Sequence, residues 1–430
     1  MVVVGLVARE LAIFIGHTYR VSKLEGSFGF GWETGRIARS IALGEGFSSP
    51  FQVSTGSTAW LAPIYPYLLA AVFKIFGVYS SASAVVILSL NSIFSALTIL
   101  AVFHLARRVL GNRAAMWCGW IAALFPYAWY WAIKWAWETS LATLLLTCLF
   151  LLCLRMAGVK WVDDARVEFT PQARTTEWLV FGLLWGLIAL TNPSLLLWLP
   201  FCGPWLLIAQ LRSEHSRRVL GHALAAAVVF TAMLSPWLVR NYRVFNRFIP
   251  LRGNFGVELR LGNGDSAVGL RTFWLHPSNN DLELKKYQEM GEVAYVAMKR
   301  REALEFIRSR PLSFARLTIN RIIYFWYGTP RDTGFGFLTL ARNIGFLISS
   351  ILALAGLWAM RRRRHPATFL FASLLFAVPL IYYVTFPHPR YRAPIEPEML
   401  VLTVGLFLAA ESRNRAVHGA QAVVTAEQER

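Results

Sequence analysis

Two acidic residues stand where an otherwise apolar chain has little else polar to offer, and both could serve as a catalytic acid or base. Glu33 falls in the stretch from Gly29 to Arg36, just after the first apolar segment, and Glu138 follows a tryptophan-rich run ending in Trp135, Ala136 and Trp137. A carboxylate at a bilayer edge can accept the proton of an attacking hydroxyl or hold a metal ion. From residue 30 to 43, Ile37 and Ile41 share one face, with Glu33, Arg36 and Ser40 nearby at helical spacing. The sequence therefore predicts a short helix lying on the membrane with its acid at the edge. The competing reading of Glu33 is a surface ion pair with Arg36. That of Glu138 is a helix N-terminal carboxylate favoured by the macrodipole.

Cations are the second ingredient, since a departing phosphate is stabilised by the planar fork of arginine. Arg240 follows Ser235, Pro236 and Trp237 at the end of an apolar run, and Arg390 and Arg392 flank Tyr391 in a short loop. Each is a candidate phosphate ligand, and each could instead anchor lipid headgroups. Trp129, Trp131, Trp135 and Trp137 read as an aromatic belt at the membrane interface. His276 and His388 are isolated and lack metal-ligand spacing, and Asp265 reads as a turn residue.

The elements that must position these groups follow from composition. The chain has 430 residues, 56% of them hydrophobic, and a mean hydropathy of +0.46, with several runs of about twenty apolar residues. This is the composition of an all-α polytopic membrane protein. The formal charge of +19 comes from Lys and Arg clustered in short loops, which is an orientation signal and not a nucleic-acid footprint. Cys118, Cys148, Cys153 and Cys202 all fall within apolar runs and read as small buried hydrophobes. The run from Val2, interrupted by Arg9 and Glu10, reads as a retained first span.

Apolar runs place spans near 2–19, 83–106, 114–134, 139–157, 178–193, 194–211, 219–239, 337–360, 367–386 and 394–411. The loops with Arg107, Arg108 and Arg113, with Arg212, Arg217 and Arg218, and with Arg361 to Arg364 alternate with the others and are assigned to the cytoplasm. The opposite face receives residues 20–82, the loop with Lys134 and Glu138, the turn at Asn192 and Pro193, residues 240–336, and Pro387 to Ala393. Residues 62–77 and 311–328 are expected to lie along the outer interface, and 158–177 reads as a plain linker. The expected organisation is a transmembrane core over 1–239 including the first outer loop 20–82, an outer subdomain with amphipathic helices over 240–336, C-terminal spans over 337–411, and a disordered cytoplasmic tail over 412–430.

Glu33 in the first outer loop, Gly44 to Phe47, Ala62 to Pro66, Ala106 to Gly111, Trp137 to Thr139, Pro236 and Trp237 with Arg240 and Asn241, and Arg390 to Arg392 together resemble the PMT-like glycosyltransferases of the GT-C superfamily. That group includes protein O-mannosyltransferases and lipid A aminoarabinose transferases. The resemblance implies a GT-C-like bundle of about ten transmembrane helices that transfers a sugar from a polyprenyl-phosphate carrier to a lipid, glycan or protein acceptor on the periplasmic face of the bacterial inner membrane. Carried onto this chain, it implies Glu33 as base or acceptor-orienting acid and Glu138 as a second carboxylate in the same cavity. Arg240, Arg390 and Arg392 are the expected donor-phosphate ligands, and Trp32, Arg36, Tyr65 and Tyr391 the expected cavity wall. The resemblance fixes no cofactor and leaves room for a divalent cation, whose ligands would be Glu33 and Glu138. Many relatives carry an acidic pair where this chain has Trp32 and Glu33, and the lipid A enzymes carry a lysine where it has Ala62.

No glycine-rich nucleotide loop is present, which fits a lipid-linked donor. The alternative from another class is a transporter or flippase of a lipid-linked sugar, which predicts ionisable groups in mid-span and symmetric halves. A non-catalytic binding or assembly subunit is a third. Partners are the donor, its acceptor and membrane lipids, with no nucleic acid.

Overall fold

The computed structural model describes residues 1–20, 30–163, 166–213, 216–330 and 336–411. The tail expected over 412–430 lies outside them. Helix α1 spans Val2–Ile15, α2 Glu33–Ala42, α3 Ile64–Phe76, α4 Ser81–Leu124, α5 Pro126–Lys134 and α6 Thr139–Met156. Next come strands β1, Val159–Asp163, and β2, Arg166–Phe169, then α7 over Thr175–Thr191, a 3-10 turn at Pro193–Trp198, α8 over Leu199–Leu211 and α9 over Ser216–Phe245. The remainder is α10 (Phe255–Gly262), α11 (Asp281–Met290), α12 (Glu292–Ser309), α13 (Pro311–Tyr327), α14 (Gly336–Arg362), α15 (Thr368–Ala377), α16 (Leu380–Val384) and the C-terminal helix Pro389–Glu411.

Six of the described helices are long and apolar enough to cross a bilayer, and residues 64–76, 175–191 and 368–384 form three shorter apolar ones. The forty-four residues of α4 fold back at Gly111, whose φ of +87° suits glycine and leaves the Trp161 indole where a Cβ would stand. Ala96 and Ile99 of its first arm therefore pack against Ala122 and Ala123 of its second. Helix α1, of fourteen residues, packs along α4. Helix α3 has thirteen residues, about 20 Å of length, which is short of the hydrocarbon thickness.

Arg9 and Glu10 are accommodated in α1 because the bundle satisfies them. Arg9, 1% exposed, donates to Ser95 Oγ (3.0 Å) and to the carbonyls of Gly5, Ala122 and Ala123, while Glu10 accepts from Ser89 (2.8 Å). The cysteines are unbridged, and three of the four are buried.

Two expectations are corrected. The span at 114–134 ends at Leu124, because Phe125 before Pro126 adopts an extended backbone and a separate short helix follows. The linker at 158–177 contains an antiparallel hairpin pairing Val159 with Phe169 and Trp161 with Val167. It is held by the packing of Trp161 on Gly111 and by Arg108 donating to the Val159 carbonyl at 2.8 Å.

At the end opposite the arginine-rich loops, residues 30–82 and 246–330 pack together. Buried Glu292 joins them, accepting from Thr58 Oγ1, the Ala59 N–H (2.8 Å) and Tyr287 (2.8 Å). Phe51, Trp60, Tyr287, Tyr295 and Phe386 form the apolar cluster beneath.

Candidate active site

A cavity of about 620 Å3 opens at this loop-bearing end. Its wall brings together Trp32, Glu33, Tyr65, Glu138, Arg390 and Tyr391 from four separate stretches of sequence. The turn at Asn192 and Pro193 lies on the same wall.

Glu33 is the first residue of α2, and its approach is tightly defined. Gly31 (φ +82°) and Trp32 (φ +53°) both adopt left-handed backbone. A Cβ on Gly31 would stand 2.4 Å from the Ala136 carbonyl oxygen and 2.9 Å from Trp137 Cδ1, so the loop before Glu33 lies directly on the segment before Glu138. His276, 1% exposed, places Nε2 3.3 Å from Glu33 Oε1. Its Nδ1 accepts the Ser278 N–H at 3.1 Å, so the ring proton sits on Nε2 and points at the carboxylate. Burial first, and then the charges of Arg271 and Arg36, push His276 well below the ordinary histidine value. It is a neutral hydrogen-bond donor that orients Glu33.

Glu138 is the N-cap of α6. Its charge acts on Arg390, whose guanidinium lies 4.2 Å from the centre of the Trp137 ring. Trp137 stacks on Trp135 at 4.7 Å with the planes 5° apart. Asn91, buried mid-helix, ties the Trp135 carbonyl (3.0 Å) to the Tyr65 hydroxyl (3.0 Å). His388 Nδ1 accepts the Arg390 N–H at 3.3 Å. Burial, then Arg390, Arg271 and Arg342, push His388 down to about 3. Tyr391 is braced by Tyr382, stacked at 4.4 Å.

Several expected site residues are elsewhere. Arg240 does not line the cavity, because its N–H groups go to the carbonyls of Thr58 (2.6 Å) and Phe47 (2.8 Å). Arg392, 1% exposed, donates to the carbonyls of Trp326 and Phe346 and pairs with Glu396 at 2.6 Å. Arg36 reaches Ser278 (3.2 Å) and the Pro50 carbonyl (3.4 Å), behind the wall. The aromatic-belt reading also changes, since Trp131, Trp135 and Trp137 face the cavity.

Sequence reasoning missed Arg252, Arg271, Arg342 and Glu258, all on the wall. Arg252 is tied to Asn254 (2.8 Å) and Glu258 (3.6 Å), and Arg342 to the Thr329 carbonyl and Asn343. Arg271 lies over the rings of Trp32 (5.6 Å) and Phe273 (5.5 Å), and its buried Nε has no hydrogen-bond partner. One available signal was the recurrence of Trp-Glu-Thr at 32–34 and 137–139.

Among the described residues no three His, Cys, Asp or Glu converge. The histidine nearest Glu33 presents its N–H there, and the charge of Glu138 is answered by Arg390.

A second cavity of about 330 Å3 shares Trp131 with the first and runs between membrane helices, past Val102, Ile121, Ile348, Leu352 and Leu400.

Fold and composition define the class: a polytopic α-helical membrane protein. The apo oligosaccharyltransferase of Archaeoglobus fulgidus matches with a TM-score of 0.52 at 15% identity, over 99% of this chain and 51% of that one. AglB from the same organism, in complex with an inhibitory peptide and a dolichol-phosphate, matches with 0.51 at 17% identity, over 93% and 48%. ArnT from Cupriavidus metallidurans bound to undecaprenyl phosphate aligns over 97% of this chain and 79% of its own at 15% identity, with a TM-score of 0.44. The chain spans about half the length of the archaeal proteins it matches, and the likeness is one of fold. No family profile and no curated protein matches the sequence.

Proposed function

We propose that the chain is a membrane glycosyltransferase that moves a sugar from a polyprenyl-phosphate carrier to an acceptor hydroxyl, on the periplasmic or exterior face. The observation that carries this reading is the meeting of Glu33, Glu138 and Arg390 in one aromatic-walled cavity at the membrane end of the bundle. An archaeal protein of the same fold binds a dolichol-phosphate, but the reading rests on the cavity.

In the proposed reaction the acceptor hydroxyl gives its proton to Glu33 while its oxygen bonds to the anomeric carbon. The bond from that carbon to the phosphate oxygen breaks, and its electron pair leaves on the phosphate. Arg390 meets the developing charge with a guanidinium already held over the Trp137 ring. Neutral His276 fixes the carboxylate without competing for the proton. The apolar cavity beside Trp131 suits the first isoprene units of the carrier. Of the arginines expected at the phosphate, this reading keeps Arg390 and leaves Arg240 and Arg392 as structural residues.

The test is turnover of a labelled polyprenyl-phosphate sugar by the full chain in lipid vesicles. Glu33→Gln is expected to lower the rate about a hundredfold or more while donor binding persists, and wild-type turnover by that variant overturns the assignment. Movement of labelled carrier across the vesicle without sugar release supports a transporter instead.

A further inference from the structure

The cavity wall carries the same device twice. Trp32-Glu33-Thr34 and Trp137-Glu138-Thr139 are the two Trp-Glu-Thr tripeptides in the chain, and each opens a helix, α2 and α6. Each indole carries a guanidinium on its ring, Arg271 over Trp32 at 5.6 Å and Arg390 over Trp137 at 4.2 Å. Each has a buried imidazole close by, His276 at 3.3 Å from Glu33 and His388 with its ring 6.1 Å from that of Trp137.

The two corners abut at Gly31, where a side chain would strike Ala136 and Trp137. The guanidinium of Arg390 lies over Trp137 and that of Arg271 over Trp32 and Phe273, and the charge of Arg271 lowers the basicity of both histidines. Arg271 is stacked on aromatic rings and its buried Nε has no hydrogen-bond partner. A guanidinium oriented by stacking and not consumed by backbone carbonyls is prepared for an oxyanion. In a displacement at an anomeric carbon the attacking oxygen and the departing phosphate lie on opposite sides. Adjacent seats, one on the base and one on the leaving group, match that need.

We infer that the corner of Trp32, Glu33, Arg271 and His276 is a second anion seat, and that the acceptor is a hydroxyl compound bearing its own oxyanion, a phosphorylated sugar or glycan. Its hydroxyl lies on Glu33 and its phosphate on Arg271. The inference rests on the glycosyltransferase reading and narrows its acceptor.

The test uses the full chain in lipid nanodiscs, with farnesyl phosphate as the donor-side probe and glucose 6-phosphate against glucose as the acceptor-side pair, both read by tryptophan fluorescence. Arg390→Gln is expected to weaken farnesyl phosphate at least tenfold, and Arg271→Gln less than twofold. Wild type saturated with farnesyl phosphate is expected to bind glucose 6-phosphate at least tenfold more tightly than glucose, a preference that Arg271→Gln loses. Arg271→Lys, which keeps the charge but not the planar stack, is expected to retain part of it. Equal weakening of farnesyl phosphate by both glutamine variants overturns the inference, because both arginines then grip one phosphate. So does failure of saturated wild type to prefer glucose 6-phosphate. If wild type binds no farnesyl phosphate, the donor reading fails, while an Arg271-dependent preference measured without it still establishes the second seat.

Discussion

Arg240 and Arg390 look alike in sequence and do different work. Both stand at the loop-bearing end of the bundle, and both lie over a tryptophan ring, Trp237 at 5.0 Å and Trp137 at 4.2 Å. The guanidinium of Arg240 is spent on the carbonyls of Thr58 and Phe47 and on Asn241, stitching the first loop to α9. That of Arg390 lies on the cavity wall over the Trp137 ring. What separates a structural arginine from a ligand-binding one is where its N–H groups are already committed.

That contrast is open to direct attack. The largest effect is expected from Gly31→Ala, which adds a Cβ both at a left-handed backbone position and against the Ala136 carbonyl. It is expected to cost roughly 2–4 kcal/mol and to abolish turnover, as measured by thermal unfolding and donor assay. Arg390→Gln is next, with kcat/KM for the donor expected to fall about 30-fold, or roughly 2 kcal/mol, at nearly unchanged melting temperature. Arg240→Gln should invert the pattern. It strands buried carbonyls and costs about 1–3 kcal/mol of stability, while kcat/KM of the folded fraction stays within about twofold. If Arg240→Gln raises donor KM as much as Arg390→Gln does, the distinction collapses. Trp137→Leu is expected to raise donor KM several-fold with kcat less affected, and Trp137→Phe to restore most of the loss, since a smaller ring still carries the cation.

The smallest effect concerns pH. His388 is held down to about 3 and His276 well below its usual value, so both stay neutral from pH 5 to 8 and the rate profile should lack a limb near 6.5. Because the folded-state values are depressed, the unfolded chain binds more protons below pH 6.5 or so. The stability these residues contribute is therefore present above that pH and lost as pH falls toward 3. His388→Gln should flatten the acid side of a melting-temperature profile.

The spans were legible because length and hydropathy are local properties, and Arg-rich loops set which ends share a face. Glu33 and Glu138 stand out in the sequence because acids are rare near spans, and both line the cavity. Arg271, Arg252 and Glu258 were not, since residues 246–280 carry no periodicity and their register against α2 and α5 is decided only by packing. Arg392 was misread for the complementary reason: its flanking sequence is that of a loop, but the C-terminal end of α13 and the helix from Gly336 supply carbonyls that bury it. The hairpin after α6 escaped because what orders it is Gly111, some fifty residues earlier.

Trp32 is a bulky residue at φ +53° immediately before the proposed base, a conformation that costs roughly 1–3 kcal/mol. Selecting variants for heat resistance alone should therefore favour glycine at this position and pull the protein toward a sturdier form with a less well-aimed carboxylate. A screen scoring melting and turnover together would reveal how much robustness this chain has given up to aim one carboxylate.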